Sequence, residues 1–227
     1  MTSPVLTLDG PSGSGKGTIS LRLSELLGWH YLDSGALYRL IGLLAFENEI
    51  LLEDEEALAA IAADMEVEFV RGDVVLEGRM VGDEIRTEQI GNIASKVAAL
   101  PKVRESLLAW QRRVAQPPGL VADGRDMGTV VFPSAECKIF LTASAQARAE
   151  RRFNQLRLKG FDVTIRQLFE EISERDQRDA ERKTSPLIPA SDALIIDATE
   201  LSIEQVEQKV LSHLNAIGVS APVNGSI

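Results

Sequence analysis

Near its N-terminus the sequence carries a glycine-rich segment whose residue types and spacing suit the binding of phosphate. The segment consists of Gly10, Pro11, Ser12, Gly13, Ser14, Gly15, Lys16, Gly17 and Thr18. Glycines let backbone N–H groups wrap closely around phosphate oxygens, and a helix that begins here adds partial positive charge. Lys16 has the length and the charge to reach the β- and γ-phosphates of a nucleotide. The pattern predicts a P-loop that binds a nucleoside triphosphate.

The order of residues at the end of this segment narrows the prediction. Gly17 separates Lys16 from Thr18, whereas the usual P-loop has a serine or threonine directly after its lysine. This departure weakens Thr18 as a direct Mg²⁺ ligand, and it favours small-molecule kinases over GTPases. A glycine- and serine-rich turn could match the pattern by chance, but an apolar strand precedes this segment and a helix follows it, as nucleotide binding requires.

Three arginines are candidates for binding a second phosphate, that of an acceptor. Arg39 and Arg125 follow the ends of two predicted strands, whereas Arg104 lies within a predicted helix. The planar guanidinium group matches phosphate through paired hydrogen bonds. Each arginine alone also suits a surface salt bridge. Because Arg39 and Arg125 follow strand ends beside a P-loop, we favour a phosphate-binding role for these two over a surface salt bridge. Arg104 is the weaker candidate.

Two helices later in the chain are rich in arginine, but their residue pattern alone does not assign a functional role to them. In the second, Arg175 and Asp179 lie one turn apart, and Arg182 shares the face of Arg175. This spacing is typical of a solvent-exposed, salt-bridged helix. The first helix likewise predicts a plain basic face, formed by Arg148, Arg151, Arg152 and Arg157.

The order of the elements predicts an α/β fold. Apolar runs predict five buried strands, at residues 5–8, 29–32, 120–122, 138–141 and 193–196. Helices are predicted at residues 16–27, 36–47, 54–63, 87–100, 101–115, 144–159, 164–182 and 203–214. Strands that alternate with helices imply a parallel sheet with ligands at the carboxyl ends of its strands. Alternating residues from 66 to 81, with turns at 71–73 and 77–79, predict a small antiparallel β insert.

Length, composition and charge limit the classes of protein to which this chain can belong. The chain has 227 residues, which suits one α/β domain with small inserted lobes or two small domains. No apolar run approaches the roughly 20 residues of a membrane span, and the N-terminus lacks the pattern of a signal peptide. The formal net charge of −10 argues against a nucleic-acid-binding surface. We therefore expect a cytoplasmic protein that binds neither membranes nor nucleic acid.

Beside the P-loop, the sequence contains four further motifs that occur together in one family. They are LDSGALYR at 32–39, DEIRT at 83–87, ADGRDMGTVVF at 122–132 and ERDQRD at 174–179. With these motifs the sequence resembles the bacterial-type cytidylate kinases from Val5 to about Leu214. The resemblance implies transfer of the γ-phosphate of ATP to CMP or dCMP in pyrimidine nucleotide metabolism. It also implies a P-loop kinase fold with a five-stranded parallel sheet, an antiparallel β insert in the monophosphate-binding lobe and a short helical lid.

The resemblance further implies roles for individual residues. Lys16 and Arg125 would act in catalysis. The substrate contacts would be made by Ser34, Arg39, Ser95, Arg104, Arg125, Asp126, Arg175, Asp179 and Arg182. Within this set, Ser95 and Asp126 would read the cytosine edge, and Asp179 would accept from sugar hydroxyls. The lid over ATP would carry Arg151, Arg152 and Arg157.

By the same resemblance, one kinase domain would comprise a core, a lobe and a lid. The core would span about residues 1–35, 116–150 and 184–217, the lobe about 36–115 with its insert at 66–86, and the lid about 151–170. The protein would be a monomer, and Mg²⁺ would accompany ATP, coordinated mostly by phosphates and water.

Two alternatives to this function remain at the level of the sequence. Another small-molecule P-loop kinase would phosphorylate adenylate, shikimate or dephospho-coenzyme A; the 123–132 segment and the β insert argue against it. A P-loop ATPase or regulatory module without an acceptor would leave Arg39 and Arg125 unexplained. The sequence leaves open whether CMP or dCMP is preferred and how well UMP is tolerated.

Overall fold

The computed structural model describes residues 3–70, 73–158 and 160–219. Its strands are β1 (Val5–Asp9), β2 (His30–Asp33), β3 (Val67–Val70), β4 (Asp73–Leu76), β5 (Arg79–Met80), β6 (Leu120–Gly124), β7 (Cys137–Thr142) and β8 (Leu194–Asp197). Its helices are α1 (Lys16–Leu27), α2 (Ser34–Glu47), α3 (Glu55–Asp64), α4 (Glu88–Val97), α5 (Pro101–Arg113), α6 (Ala145–Leu158), α7 (Ile165–Glu181) and α8 (Ile203–Ala216). Two shorter helical turns, one 3₁₀ and one π, lie at Glu84–Arg86 and Met127–Val131.

The central sheet has five parallel strands in the order β2-β6-β1-β7-β8. In its register Asp9 pairs with Gly124, and Asp33 pairs with Asp123. The carboxyl ends of β1, β2 and β6 therefore lie side by side, and the loops that follow them open at the same edge. This confirms the predicted α/β fold and brings the three informative loops of the sequence together.

The interior strands of the sheet are buried on both faces because helices cover both sides, and most of their residues are apolar. In β6, Leu120 and Ala122 pack in the core on one side of the sheet, and Val121 packs in the core on the other. A strand that is buried on both faces has a nearly continuous run of apolar residues, so strands of this kind can be predicted from the sequence.

A second sheet of three antiparallel strands, in the order β3-β4-β5, confirms the predicted β insert. Its buried Val74 and Leu76 pack with Leu40 and Leu43 of α2. Because alternate strand residues point to opposite faces, this contact buries one face of the insert sheet and leaves the other partly exposed. The insert is thereby anchored to the helix that follows β2.

The predicted helices are all present, with ends that differ by up to three residues. Helix α2 begins at Ser34 rather than at residue 36 because the Asp33 carboxylate accepts the N–H of Ala36 at 3.1 Å and caps the helix. The last strand of the insert lies at Arg79–Met80 rather than at residues 80–81. Residues 71 and 72 of the predicted turn, and residue 159 at the predicted end of α6, lie outside the described ranges. Within those ranges no helix is long and apolar enough to cross a membrane.

Candidate active site

The glycine-rich segment lies between β1 and α1 and folds around the side chain of Lys16. Gly10 has a φ of 149°, and a Cβ at this position would lie 2.0 Å from the carbonyl oxygen of Leu141, so glycine is required. The Nζ of Lys16 donates to the carbonyl oxygen of Pro11 at 2.9 Å, and Lys16 is 5% exposed. The loop thus combines an enclosed lysine with a closely approaching backbone, the two features that phosphate binding needs.

The charges of two carboxylates, those of Asp123 and Asp9, act on Lys16. Burial lowers the pKa of Lys16 and the charge of Arg125 lowers it further, while Asp123 and then Asp9 oppose the shift. Burial raises the pKa of Asp123 above its usual range, against the attraction of Lys16. A Cβ at Gly17 would lie 3.4 Å from the Oδ2 of Asp123. The glycine that stands where most P-loops have serine or threonine therefore lies next to this carboxylate.

A buried ion pair joins Arg104 of α5 to Asp126, which follows β6. The Nη1 of Arg104 donates to the carbonyl oxygen of Ala98 at 3.0 Å, and its Nε donates to the hydroxyl of Ser185 at 3.1 Å. The guanidinium also lies 5.4 Å from the centre of the Tyr38 ring. A buried ion pair needs such additional contacts to offset its loss of hydration. Together they hold the Asp126 carboxylate in one defined position.

The carboxylate of Asp179, on α7, forms a second buried centre. It accepts hydrogen bonds from the Oγ of Ser95 at 3.3 Å and from the Nε of Arg125 at 3.1 Å. Burial alone would raise the pKa of Asp179, but the guanidinium of Arg125, followed by those of Arg175 and Arg182, holds it below its usual range. The carboxylate is therefore charged at neutral pH. Helices α4 and α7 and the segment after β6 meet at this group.

Several guanidinium N–H groups near Asp179 are buried without a hydrogen-bond partner among the described residues. They are the Nε atoms of Arg175, Arg178 and Arg182 and the Nη2 of Arg182. Burial lowers the pKa of Arg175 to about 10, which reflects the cost of holding this charge away from water. Because buried polar groups in proteins almost always have partners, orphaned cationic donors mark space for an anionic or oxygen-rich ligand.

Ser34 and Arg39, which follow β2, lie at the same edge of the sheet. Ser34 is buried, and a Cβ at Gly124 would come 2.7 Å from its hydroxyl oxygen, so Ser34 lies against the end of β6. The Nη1 of Arg39 donates to the carbonyl oxygen of Ile85 at 2.6 Å. Burial lowers the pKa of Arg39, the carboxylates of Asp33 and Glu88 oppose this shift, and the positive charge of Arg125 adds to it.

Comparison with known proteins relates the chain to one family. The family model described as cytidylate kinase matches residues 6–216. The cytidylate kinase of Klebsiella pneumoniae (strain 342) is 56% identical over 214 residues, which cover 92% of this chain and 94% of the relative. The cytidylate kinase of Shewanella frigidimarina (strain NCIMB 400) is 57% identical over 218 residues, which cover 93% and 95%. The chain belongs to the cytidylate kinase family.

In this member of the cytidylate kinase family, the three arginines predicted for the lid have different surroundings. The Nη1 of Arg151 donates to the carbonyl oxygen of Ser14 in the P-loop at 3.3 Å. The Nε of Arg152 instead donates to a carboxylate oxygen of Glu88, at the start of α4, at 2.8 Å. The guanidinium of Arg157 lies 5.7 Å from the centre of an aromatic ring one turn earlier on α6. In the described part of the chain, the P-loop contact belongs to Arg151 among these three.

The predicted basic face of α6 is wrong for Arg148, which is 4% exposed. Its Nη1 donates to the carbonyl oxygen of Ser12 in the P-loop and to the carboxylate of Asp176 on α7, both at 3.0 Å. Its Nε donates to the carbonyl oxygen of Ala143 at 2.9 Å. Arg148 therefore ties the P-loop to α6 and α7. Helical spacing gives no signal for this role, because it does not show that α7 covers this face.

The sequence also gives no direct signal for the role of Asp9. Asp9 ends β1, where the sequence predicts only that a loop follows a strand. In the structure its carboxylate accepts the N–H groups of Met127 and Gly128, each at 2.8 Å. Asp9 is thus bonded to the segment that carries Arg125 and Asp126, although more than a hundred residues separate them along the chain.

Proposed function

We propose that this member of the cytidylate kinase family transfers the γ-phosphate of ATP to CMP or dCMP, giving ADP and CDP or dCDP in pyrimidine nucleotide metabolism. The observation that carries the proposal is the buried Arg104–Asp126 pair beside the charged Asp179 cluster. The charge of Arg125, which belongs to that cluster, also acts on Lys16 of the P-loop. Binding of ATP alone gives no use for this second set of buried arginines and carboxylates.

Asp126 supports recognition of the cytosine base. A carboxylate only accepts hydrogen bonds, and the exocyclic amine of cytosine donates them. Uracil has a carbonyl oxygen at the same position, so UMP would set one acceptor against another in a buried site. Sites that contain buried polar groups strongly reject analogues that leave those groups unpaired. We assign Ser95 to the same base edge, because its hydroxyl lies in the adjoining Asp179 cluster.

The remaining polar groups suit the phosphate and the sugar of the acceptor. Arg39, Arg104 and Arg125 supply guanidinium groups for a dianionic phosphate. Asp179 accepts from sugar hydroxyls, and the orphaned donors of Arg175 and Arg182 face oxygen atoms of the nucleotide. We assign Ser34 to the sugar because of its place at the end of β6.

Phosphoryl transfer requires in-line placement and neutralised charge more than covalent participation by the protein. The P-loop amides and Lys16 hold the β- and γ-phosphates, and Arg151 lies against the same loop. A phosphate oxygen of CMP is already a nucleophile at neutral pH, so the site needs no general base. Catalysis is therefore assigned to Lys16 and Arg125, which stabilise charge on the transferred group.

Water must be excluded, since it would otherwise accept the phosphate. We propose that residues 36–115 and 151–170 move as a lobe and a lid against a core formed by residues 1–35, 116–150 and 184–217. Closure would bring the other lid arginines, Arg152 and Arg157, towards ATP. We also propose that the protein acts as a cytoplasmic monomer, which cell fractionation and sedimentation of the pure protein would check.

Mg²⁺ would accompany ATP and neutralise charge on its β- and γ-phosphates. The hydroxyl of Thr18, exposed on the first turn of α1, and the carboxylate of Asp123 provide oxygen atoms of the kind that Mg²⁺ prefers, and this ion usually retains several waters. No group of three or more His, Cys, Asp or Glu residues in the described ranges could hold a metal ion. We therefore propose phosphates and water as its main ligands.

The proposal is tested by the release of ADP from ATP and Mg²⁺ with CMP, dCMP, UMP, AMP or shikimate as acceptor, and with no acceptor. We expect rapid turnover with CMP and dCMP. Preferential use of AMP or shikimate would retain the P-loop assignment and overturn the acceptor. Equal release of ADP with and without an acceptor would favour an ATPase.

A further inference from the structure

The π-helical turn at Met127–Val131 lacks a cap from the residue that precedes it. The first N–H groups of a helical segment have no partners within the segment and need them from elsewhere. Asp126 occupies the N-cap position, and aspartate is a residue type that commonly caps helices. Within the described residues, however, the Asp126 side chain makes no capping hydrogen bond, and its carboxylate pairs with Arg104.

Asp9, from a different strand, supplies the missing cap. Its Oδ1 accepts the N–H of Met127 and its Oδ2 accepts the N–H of Gly128, each at 2.8 Å. Asp9 is 5% exposed and stands directly before Gly10, the first residue of the P-loop. Both oxygens of one buried carboxylate thus hold the turn against the strand from which the P-loop starts.

We infer that Asp9 is a positioning residue that caps this turn in place of Asp126 and so leaves the Asp126 carboxylate to Arg104 and the substrate base. The inference rests on the proposed function, because it assigns Asp126 to cytosine. Without Asp9, the N–H groups of Met127 and Gly128 are left unpaired in a buried place. Asp126, at the N-cap position of the turn, is a side chain of the type that caps helices, and capping would draw it away from the base.

The hydrogen bonds of Asp9 also connect the phosphate-binding loop with the segment that binds the acceptor. Gly10 follows Asp9 directly, and Arg125 and Asp126 directly precede the capped turn. Asp9 therefore fixes the acceptor-binding segment relative to the phosphate-binding loop. Small displacements between reacting groups are costly in phosphoryl transfer, because the transfer depends on in-line placement.

The variant Asp9→Asn tests this role, because an amide has a single acceptor oxygen and sets an NH₂ group against the second N–H. Losing one buried hydrogen bond predicts that KM for CMP rises about tenfold and that the ratio of kcat/KM for CMP over UMP falls about tenfold. KM for ATP should change by less than about twofold, since α1 and Arg148 still hold the P-loop. A merely structural role would reduce stability and the active fraction without changing KM for CMP or the ratio.

Glu136→Gln is the matched control. Its carboxylate accepts the N–H of Val5 at 2.9 Å, at the opposite end of the same strand, so the variant makes the same chemical change away from the site. We expect wild-type values of both KM and the ratio. The double variant Asp9→Asn, Asp126→Asn adds a second check. If Asp9 acts through Asp126, adding Asp9→Asn to Asp126→Asn leaves the CMP/UMP ratio unchanged, and a full additional change overturns the inference.

Gly128→Ala provides a second route if Asp9→Asn does not fold. Its Cβ would lie 2.9 Å from the Oγ1 of Thr7 and 3.4 Å from the Oδ2 of Asp9, so it displaces the turn while Asp9 stays intact. We expect the same rise in KM for CMP. An unchanged KM for CMP in a folded variant of either kind overturns the role of Asp9. Failure of the wild-type protein to use CMP overturns the proposed function instead.

Discussion

The guanidinium of Arg104 and the carboxylate of Asp126 form an ion pair whose side chains are 8% and 3% exposed. Such a pair contributes little net stability, because the loss of hydration offsets the attraction between the charges. Apolar side chains of similar volume could fill the same space at no loss of stability. We therefore interpret the pair as part of the acceptor site, where a fixed buried carboxylate has a chemical use.

Replacing this carboxylate tests its assigned contact with the base. In Asp126→Asn the amide can accept from cytosine or donate to uracil, so we expect the ratio of kcat/KM for CMP over UMP to fall on the order of 10²-fold. Steady-state kinetics with both nucleotides measure the ratio. Asp192→Asn is the control, because that carboxylate is 62% exposed on its side chain and pairs with Lys138. An unchanged ratio in Asp126→Asn contradicts the assignment.

Lys16 is the residue on which the P-loop assignment depends most. We expect Lys16→Ala to lower kcat on the order of 10³-fold, because a preorganised positive charge at the transferred phosphate is lost. The fold should persist, which circular dichroism would show. Lys102→Ala removes an exposed lysine that pairs with Glu56, and it should retain wild-type turnover. A near-normal kcat in folded Lys16→Ala would contradict the P-loop assignment.

We expect Arg148 to contribute both to the stability of the fold and to the binding of ATP. Arg148→Met keeps much of the side-chain length but loses the bonds to Ser12, Ala143 and Asp176. We expect the free energy of unfolding to fall by about 1–3 kcal/mol and KM for ATP to rise several-fold. Urea unfolding and steady-state kinetics measure the two effects.

The control for Arg148 is Arg166→Met, also on an arginine-rich helix. Arg166 is 89% exposed on its side chain and pairs with Glu170 one turn away. Exposed pairs of this kind contribute at most about 0.5 kcal/mol. If Arg148→Met changes the free energy of unfolding and KM for ATP no more than Arg166→Met does, the buried contacts of Arg148 do not hold the P-loop.

Asp9 gives the stability of the protein a defined dependence on pH. Burial raises the pKa of Asp9 to about 6, although the hydrogen bonds from Gly128 and Met127 lower it. In the unfolded chain the carboxyl returns to a pKa of about 4. Between these values the folded state binds the proton more strongly, so this group destabilises the protein above pH 6 and the cost is relieved as pH falls.

The difference in unfolding free energy between the wild type and Asp9→Asn isolates this contribution. From pH 7 to pH 5 the wild type should gain about 1 kcal/mol relative to the variant. Urea unfolding at the two pH values measures it. A constant difference, or one that moves in favour of the variant at pH 5, contradicts the raised pKa.

The parts of this structure that the sequence predicts are those set by local pattern. The strands can be predicted because most of their residues are apolar, and the P-loop can be predicted because its glycines and Lys16 lie within one short segment. Helix ends shift by a few residues where a side chain such as Asp33 caps the helix earlier than periodicity suggests. These differences do not move any element within the fold.

The parts that the sequence does not predict depend on which elements meet. Arg148 and Arg152 lie one turn apart on the same face of α6, but Arg148 is buried and bonded to Asp176 of α7, whereas Arg152 is bonded to Glu88 of α4. The capping of the π-helical turn by Asp9 joins two segments far apart in the chain. The pairing of Asp126 with Arg104 is equally invisible until α5 lies against the loop after β6.

Following the transferred phosphate itself shows whether this protein phosphorylates CMP. The protein is incubated with Mg²⁺, CMP and ATP labelled at its γ-phosphate, and the nucleotides are separated. We expect the label to appear in CDP, with one ADP formed for each CDP. Label released as inorganic phosphate, with CMP unchanged, would contradict the proposed function.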